Sequence, residues 1–141
     1  MEEPDGAETR KFVDEQNSIS KPFLENEEAW KKINKKLTEL WDFEKYGIAS
    51  KRGHRYFYSH NTGLQNQNVI YYQESLESER KIFLDPNQLS ADGTIALQSL
   101  HFTKDGSKVA YGLSESGSDW VKIKFRDVEK NQDFPETLEY S

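Results

Sequence analysis

The chain contains no cysteine and no Asn-X-Ser/Thr acceptor. The first absence excludes a disulfide framework and cysteine-ligated zinc, and the two together lead us to expect an intracellular, cytoplasmic address. No stretch approaches the ~18 consecutive apolar residues of a membrane span. The opening Met1-Glu2-Glu3-Pro4-Asp5 is acidic where a secretory leader is basic and then apolar. No membrane partner is therefore expected. Hydrophobic residues make up only 34% of the chain, while charged residues of both signs make up 31%. With a net charge of −6 and a pI near 5.1 the chain offers no basic face, so no nucleic-acid partner is expected either.

The familiar catalytic motifs are also missing. Gly112-Leu113-Ser114-Glu115-Ser116 comes nearest to a nucleophile elbow, but it ends on serine where that strained turn needs glycine. There is no phosphate-cradling glycine loop, no H-E-x-x-H and no calcium loop. His54, His60 and His101 are scattered without a convergent acid, which points to surface or core roles rather than a metal site. Lys51-Arg52-Gly53 before Tyr56-Phe57-Tyr58 has the ingredients of an RNA-binding strand but not its glycine and aromatic spacing. No cofactor or metal is expected.

What the chain does have is strand pattern. From Leu97 the apolar residues Leu100 and Phe102 lead to the turn Thr103-Lys104-Asp105-Gly106, and Lys108 to Leu113 forms a second run. Asp-Gly between two such runs signals a hairpin, because glycine takes positive φ without steric cost. A polar loop, Ser114 to Asp119, leads to Trp120-Val121-Lys122-Ile123-Lys124-Phe125. There Val121, Ile123 and Phe125 alternate with Lys122, Lys124 and Arg126, which predicts one apolar and one wet face. The segment Ser50 to Tyr58 aligns on Thr103 to Tyr111 without gaps, at a constant offset of 53 residues. Short strands repeating at roughly 40–50 residues are the mark of propeller blades, though a generic meander reads the same way.

Residues 1–42 differ. Ala7 to about Ser18 is predicted helical, and Pro22 either stops it or starts the next turn. Asn26 is the expected N-cap of a second helix carrying Trp30, Ile33, Leu37, Leu40 and Trp41 on one stripe. Glu27/Lys31 and Glu28/Lys32 stand one turn apart, and the tryptophans read as core packing. Further strands are predicted at Arg55–His60, Val69–Gln73 and Lys81–Leu84, with turns at Asp85-Pro86-Asn87 and Asp92-Gly93-Thr94. Asp119 is the polar residue to single out: either a loop cap, or a carboxylate at a strand entry aimed at a cation on another domain.

Several of these segments resemble the prolyl oligopeptidase family of serine peptidases. The likeness rests on Tyr56-Phe57-Tyr58, Asn61-Thr62-Gly63-Leu64-Gln65-Asn66-Gln67, Phe83-Leu84-Asp85-Pro86-Asn87 and Asp92-Gly93-Thr94. The run from Ala110 to Val121 is its longest part, and Glu2-x-Pro4-Asp5 and Pro22-Phe23-Leu24-Glu25 are similar to the family's N-terminal segment. The resemblance implies an α/β-hydrolase domain lidded by a seven-bladed propeller that admits short peptides and cleaves them after proline. Residues 1–42 then look like a helical segment that packs on the hydrolase domain. Residues 43–141 look like blade one and most of blade two, so the fold class is N-terminal helices followed by antiparallel all-β sheets of an incomplete propeller. The nucleophilic Ser, its Asp and His, and the residues that hold proline are expected beyond Ser141, with further chain before Met1. The chain alone is thus expected to be inactive. Asp119 matches the family's Asp in Gly-Ser-Asp-Trp, which holds a substrate-positioning Arg of the hydrolase domain, and Trp120 reads as packing. A stand-alone module that recruits a partner strand at the edges Lys81–Leu84 and Lys122–Phe125 is the alternative.

Overall fold

Hydrogen-bond demand divides the chain into a helical part, satisfied within each helix, and a sheet part, satisfied between strands. In the computed structural model, which describes Glu3 and Gly6–Glu139, these are two compact units, Met1–Asp42 and Phe43–Ser141. The Glu2-x-Pro4-Asp5 motif lies outside the described residues. In the first unit α1 runs Ala7–Glu25 and α2 runs Glu28–Trp41.

Pro22 does not stop α1 but lies inside it. A proline there removes one amide donor, and the turn still closes through Asn26 N–H to the Pro22 carbonyl at 3.4 Å. Because Asn26 thereby caps the end of α1, it does not N-cap α2. Glu27 takes that position without a side-chain hydrogen bond. In α2 the surface pairs formed are Lys31–Glu28 at 3.5 Å and Lys36–Glu39 at 3.6 Å, each three residues apart, in place of the expected Glu27/Lys31 and Glu28/Lys32. Neither helix buries a residue, and Trp30 and Trp41 remain 40% and 66% exposed, so they do not form the expected core.

In the second unit β1 (Lys45–Tyr46) and β2 (Ser50–Arg52) both pair antiparallel with β3 (Arg55–Asn61). β4 (Val69–Gln73) and β5 (Lys81–Leu84) complete this first sheet. The second sheet is a meander of β6 (Ile95–Phe102), β7 (Lys108–Glu115), β8 (Val121–Asp127) and β9 (Gln132–Leu138). β9 escapes prediction because it lacks alternation and carries Pro135, which a sheet tolerates at its edge. β8 is therefore paired on both sides, and Lys122–Phe125 is not an edge.

The core lies between the sheets. Phe57 and Phe83 of the first sheet meet Phe102, Tyr111 and Val109 of the second, with ring centroids 4.5 Å apart for Phe57 and Phe102. The register puts Lys122, Lys124 and Arg126 opposite Leu113, Tyr111 and Val109, hence on the core-facing side of β8. Val121, Ile123 and Phe125 take the other side, the reverse of a simple apolar-in pattern. Two arginines close the seam reciprocally. Arg55 of β3 donates to the Val128 carbonyl at 2.7 Å and to Glu129 at 2.9 Å, while also pairing with Glu74. From β8, Arg126 donates to the Phe83 carbonyl on the edge of β5 at 2.6 Å.

The Thr103–Ser107 turn is knit by one carboxylate. Asp105 accepts from the hydroxyls of Thr103 (2.6 Å) and Ser107 (2.9 Å) and from the Ser107 amide (3.1 Å). These bonds, the Thr103 hydroxyl foremost, favour its charged form and hold its pKa at about 2. A pKa depressed in the folded state stabilises above the unfolded value, near ~4, and that stability is lost as pH falls through about 2. Urea midpoints should accordingly separate wild type from Asp105→Asn at pH 6 and converge towards pH 2. A gap that stays constant with pH contradicts this assignment.

Candidate functional site

Asp119 belongs to the loop that carries the chain from β7 to β8. Ser116 and Gly117 turn it with φ of 52° and 75°, and Ser118 N–H returns to the Glu115 carbonyl at 2.9 Å. The capping role falls to Ser118, whose hydroxyl accepts from the Trp120 amide at 3.1 Å. Asp119 itself is exposed and its carboxylate makes no hydrogen bond or ion pair among the described residues. Trp120 is 63% exposed, where packing was expected. A free carboxylate and a large aromatic thus stand side by side at one loop.

That loop rests on a network absent from any sequence expectation. Ser116 N–H donates to the Thr94 carbonyl at 3.1 Å, and Asp92 accepts from the Thr94 amide and hydroxyl. Asn87 is held by Asp85 and in turn bonds both backbone groups of Gln67, at 2.9 and 3.0 Å. Asn61 fixes the loop after β3 through the Gln65 carbonyl and the Gly63 amide. The Asn61–Gln67, Asp85–Asn87 and Asp92–Thr94 segments, quoted separately from the sequence, share one hydrogen-bonded platform. The signal was there in the density of Asn, Gln and Asp, the side chains that bond loop backbone.

The other candidates have no convergent chemistry. Ser114 is buried within β7, paired with Val121 and Ala96, and accepts from Gln98 at 2.9 Å, so it is not on an elbow. His54 lies 3.2 Å from Glu74 and 3.5 Å from Glu129 at the seam. His60 is buried, stacked on Tyr46 at 4.4 Å, with Nε2 at 3.5 Å from Glu44. His101 lines a concavity of about 610 Å³ on the outward face of the second sheet. Among the described residues no group of His, Asp and Glu is arranged to hold a metal ion, and no helix is long and apolar enough to cross a membrane.

Helices followed by two open antiparallel meanders, packed face to face and closing no barrel, define a partial β-propeller module. Comparison with known proteins agrees: the family model of the prolyl oligopeptidase N-terminal β-propeller domain matches residues 1–141. The prolyl endopeptidase of Elizabethkingia meningoseptica is 35% identical over 138 residues, which cover 98% of this chain and 19% of that protein. That of Dictyostelium discoideum is 33% identical, covering 91% of this chain and 19% of the relative. A solved prolyl endopeptidase structure superposes with a TM-score of 0.84 at 22% identity, covering 97% of this chain and 20% of that one. Prolyl oligopeptidase B from Galerina marginata, solved with a bound 35mer substrate, gives 0.78 at 21% identity over 96% of this chain and 22% of its own. The chain belongs to the prolyl oligopeptidase family. It spans 19% of the length of these curated relatives, corresponds to their N-terminal propeller region and holds none of the catalytic domain.

Proposed function

We propose that this chain is part of the gating propeller of a serine peptidase that hydrolyses short peptides on the carboxyl side of proline. The first sheet serves as blade one and the second as blade two. Residues 1–42 pack their exposed Trp30–Trp41 stripe on an α/β-hydrolase domain. In the whole enzyme a Ser attacks the carbonyl after proline, a His acts as general base, and backbone donors hold the oxyanion. Asp119 holds a substrate-positioning Arg of the hydrolase domain across the interface. The observation that supports this is its uncommitted carboxylate, raised on a hydrogen-bonded platform with no partner among the described residues to compete for it. A cytoplasmic setting completes the proposal and is open to cell fractionation.

The strand-recruiting alternative loses support, since β8 has no free edge and the β5 carbonyls of Ile82 and Phe83 already accept from Asn131 and Arg126. On a chromogenic Gly-Pro substrate the isolated chain is expected to be silent, and turnover by pure chain that a serine-directed reagent stops overturns the assignment. In an enzyme that joins this chain to a hydrolase domain, Asp119→Asn should lower kcat/KM about tenfold or more, roughly 1.4 kcal/mol, with an unchanged melting temperature. Equal activity in the variant rules out the positioning role.

A further inference from the structure

Asp119 stands on a loop that packing does not hold. Every residue from Glu115 to Trp120 is exposed, and a Cβ added to Gly117 would meet nothing within 4 Å. Hydrogen bonds must therefore set where the carboxylate stands. Two of them close within the loop, from the Ser118 amide to the Glu115 carbonyl at 2.9 Å and from the Trp120 amide to the Ser118 hydroxyl at 3.1 Å. A third leaves it, running from the Ser116 amide to the Thr94 carbonyl at 3.1 Å. That bond lies one step beyond the Ile95–Glu115 pair that ends the β6–β7 ladder. Ser116 has a φ of 52°, which a residue with a Cβ adopts at a cost and keeps only where its surroundings impose it.

Thr94 is itself held from two sides. A single oxygen of Asp92, Oδ1, accepts from the Thr94 amide at 3.1 Å and from the Thr94 hydroxyl at 2.8 Å. These bonds, the hydroxyl foremost, hold the Asp92 carboxyl below the usual range, so the acceptor is a charged one. From the first sheet, the β3–β4 loop braces the same turn. The Asn66 amide fills the space that a Cβ on Gly93 would need, and Gln67 Nε2 donates to the Gly93 carbonyl at 3.5 Å. We propose that Asp92 is a positioning residue for Asp119, a role that rests on Asp119 serving an arginine of the hydrolase domain. By locking Thr94, Asp92 fixes the carbonyl that ties down Ser116, and so sets where the Asp119 carboxylate is presented to that arginine. It acts through the backbone, with its own charge already spent on Thr94 and not competing for the arginine.

Two measurements test this, the first on the full chain. In Asp92→Ala the Ser116 amide is expected to exchange its hydrogen about tenfold faster than in wild type, while the β7 amides stay protected. Asp92→Asn keeps an Oδ1 acceptor for both bonds and should restore slow exchange. If Asp92→Ala does not fold, Thr94→Val, which loses only the hydroxyl bond, replaces it and should speed Ser116 exchange about threefold. A Ser116 amide that exchanges at the wild-type rate in the folded variant overturns the proposal. The second measurement is kinetic, in an enzyme that joins this chain to a hydrolase domain. There Asp92→Ala should lower kcat/KM about fivefold, Asp92→Asn should recover it, and Asp92→Ala added to Asp119→Asn should cost nothing further. No loss in the single variant, or its full loss on top of Asp119→Asn, overturns the role of Asp92 and leaves that of Asp119 standing. An Asp119→Asn enzyme of unchanged activity overturns both.

Discussion

Gly106→Ala should destabilise the Phe43–Ser141 unit by about 2–4 kcal/mol, among the largest effects of any single substitution in the chain. Two separate costs add. Gly106 has a φ of +74°, and an L side chain in that region costs about 1 kcal/mol. The larger cost is spatial, because a Cβ there falls 2.5 Å from the Gly53 amide nitrogen and 2.7 Å from the Arg52 carbonyl carbon. Gly53 faces it from the other sheet with the same problem, its own Cβ position lying 2.8 Å from the Asp105 carbonyl oxygen. Those two glycines are equivalent at the repeat offset, so each hairpin tip is trimmed to admit the backbone of the other. Backbone cannot rotate aside as a long side chain does, so a methyl group here must separate the sheets or distort both turns. Gly117→Ala supplies the control. Its φ is +75° but nothing lies within 4 Å, so it should cost only the conformational part, about 1 kcal/mol. Urea unfolding of the three proteins separates the terms. Equal losses for Gly106→Ala and Gly117→Ala would mean that the tips do not touch in solution.

What was legible in the sequence was what short-range chemistry dictates. Asp105-Gly106 and the apolar runs through Lys108–Phe125 placed β7, β8 and the turn that leads from β6 into β7, because turn residues and pleat periodicity are local properties. The offset that matches Gly53 to Gly106 was visible too, but not that the matched glycines touch, which depends on how the sheets pack. Arg126 was read as solvent-facing because it alternates with Val121, Ile123 and Phe125. Register with Val109 and the neighbouring Asp133 draw it instead towards the core. Pro22 was read as a stop from its own chemistry, yet a last-turn proline loses a single bond and the flanking amides keep the helix. At the candidate site, Asp119 was singled out from its loop position and a family likeness. Its platform was not, since Gln67 and Asn87 find each other across 20 residues of chain and only a fold brings them together.

Removal of Arg126 is expected to be comparably severe and to carry a pH signature. Its guanidinium bonds Asp133 at 2.6 and 3.2 Å, Asn131 at 3.2 Å and the Phe83 carbonyl at 2.6 Å, and lies over the rings of Phe83 and Tyr111. Its side chain is only 13% exposed. Four of the five N–H donors of the planar fork are thereby used, an arrangement that a lysine cannot reproduce. Tyr111 completes the cluster by donating to Asp133 at 2.9 Å, and burial followed by that bond pushes its phenol up to about 12. Burial alone would raise the Asp133 carboxyl, but the hydrogen bonds from Arg126 and Tyr111 outweigh it and hold the group below the usual range. Arg126→Ala leaves that carboxylate without its cation and strips the Phe83 carbonyl of its donor, a loss of about 3 kcal/mol at pH 7. The sign with pH follows from the lowered Asp133 pKa. Wild type gains stability from it above the unfolded value, near ~4, and loses that gain as pH falls. The variant keeps only the Tyr111 bond and the Lys124 charge to favour that carboxylate and so has less of this gain to lose, which means that the difference between the two proteins should shrink between pH 6 and pH 3 and retain the remainder due to the Phe83 carbonyl. Asp105 titrates alike in both and cancels in the difference. A deficit that does not vary with acidity would show that Arg126 acts through its aliphatic stem and ring contacts rather than through Asp133, and the charged seam between the sheets would have to be abandoned as the reason they hold together.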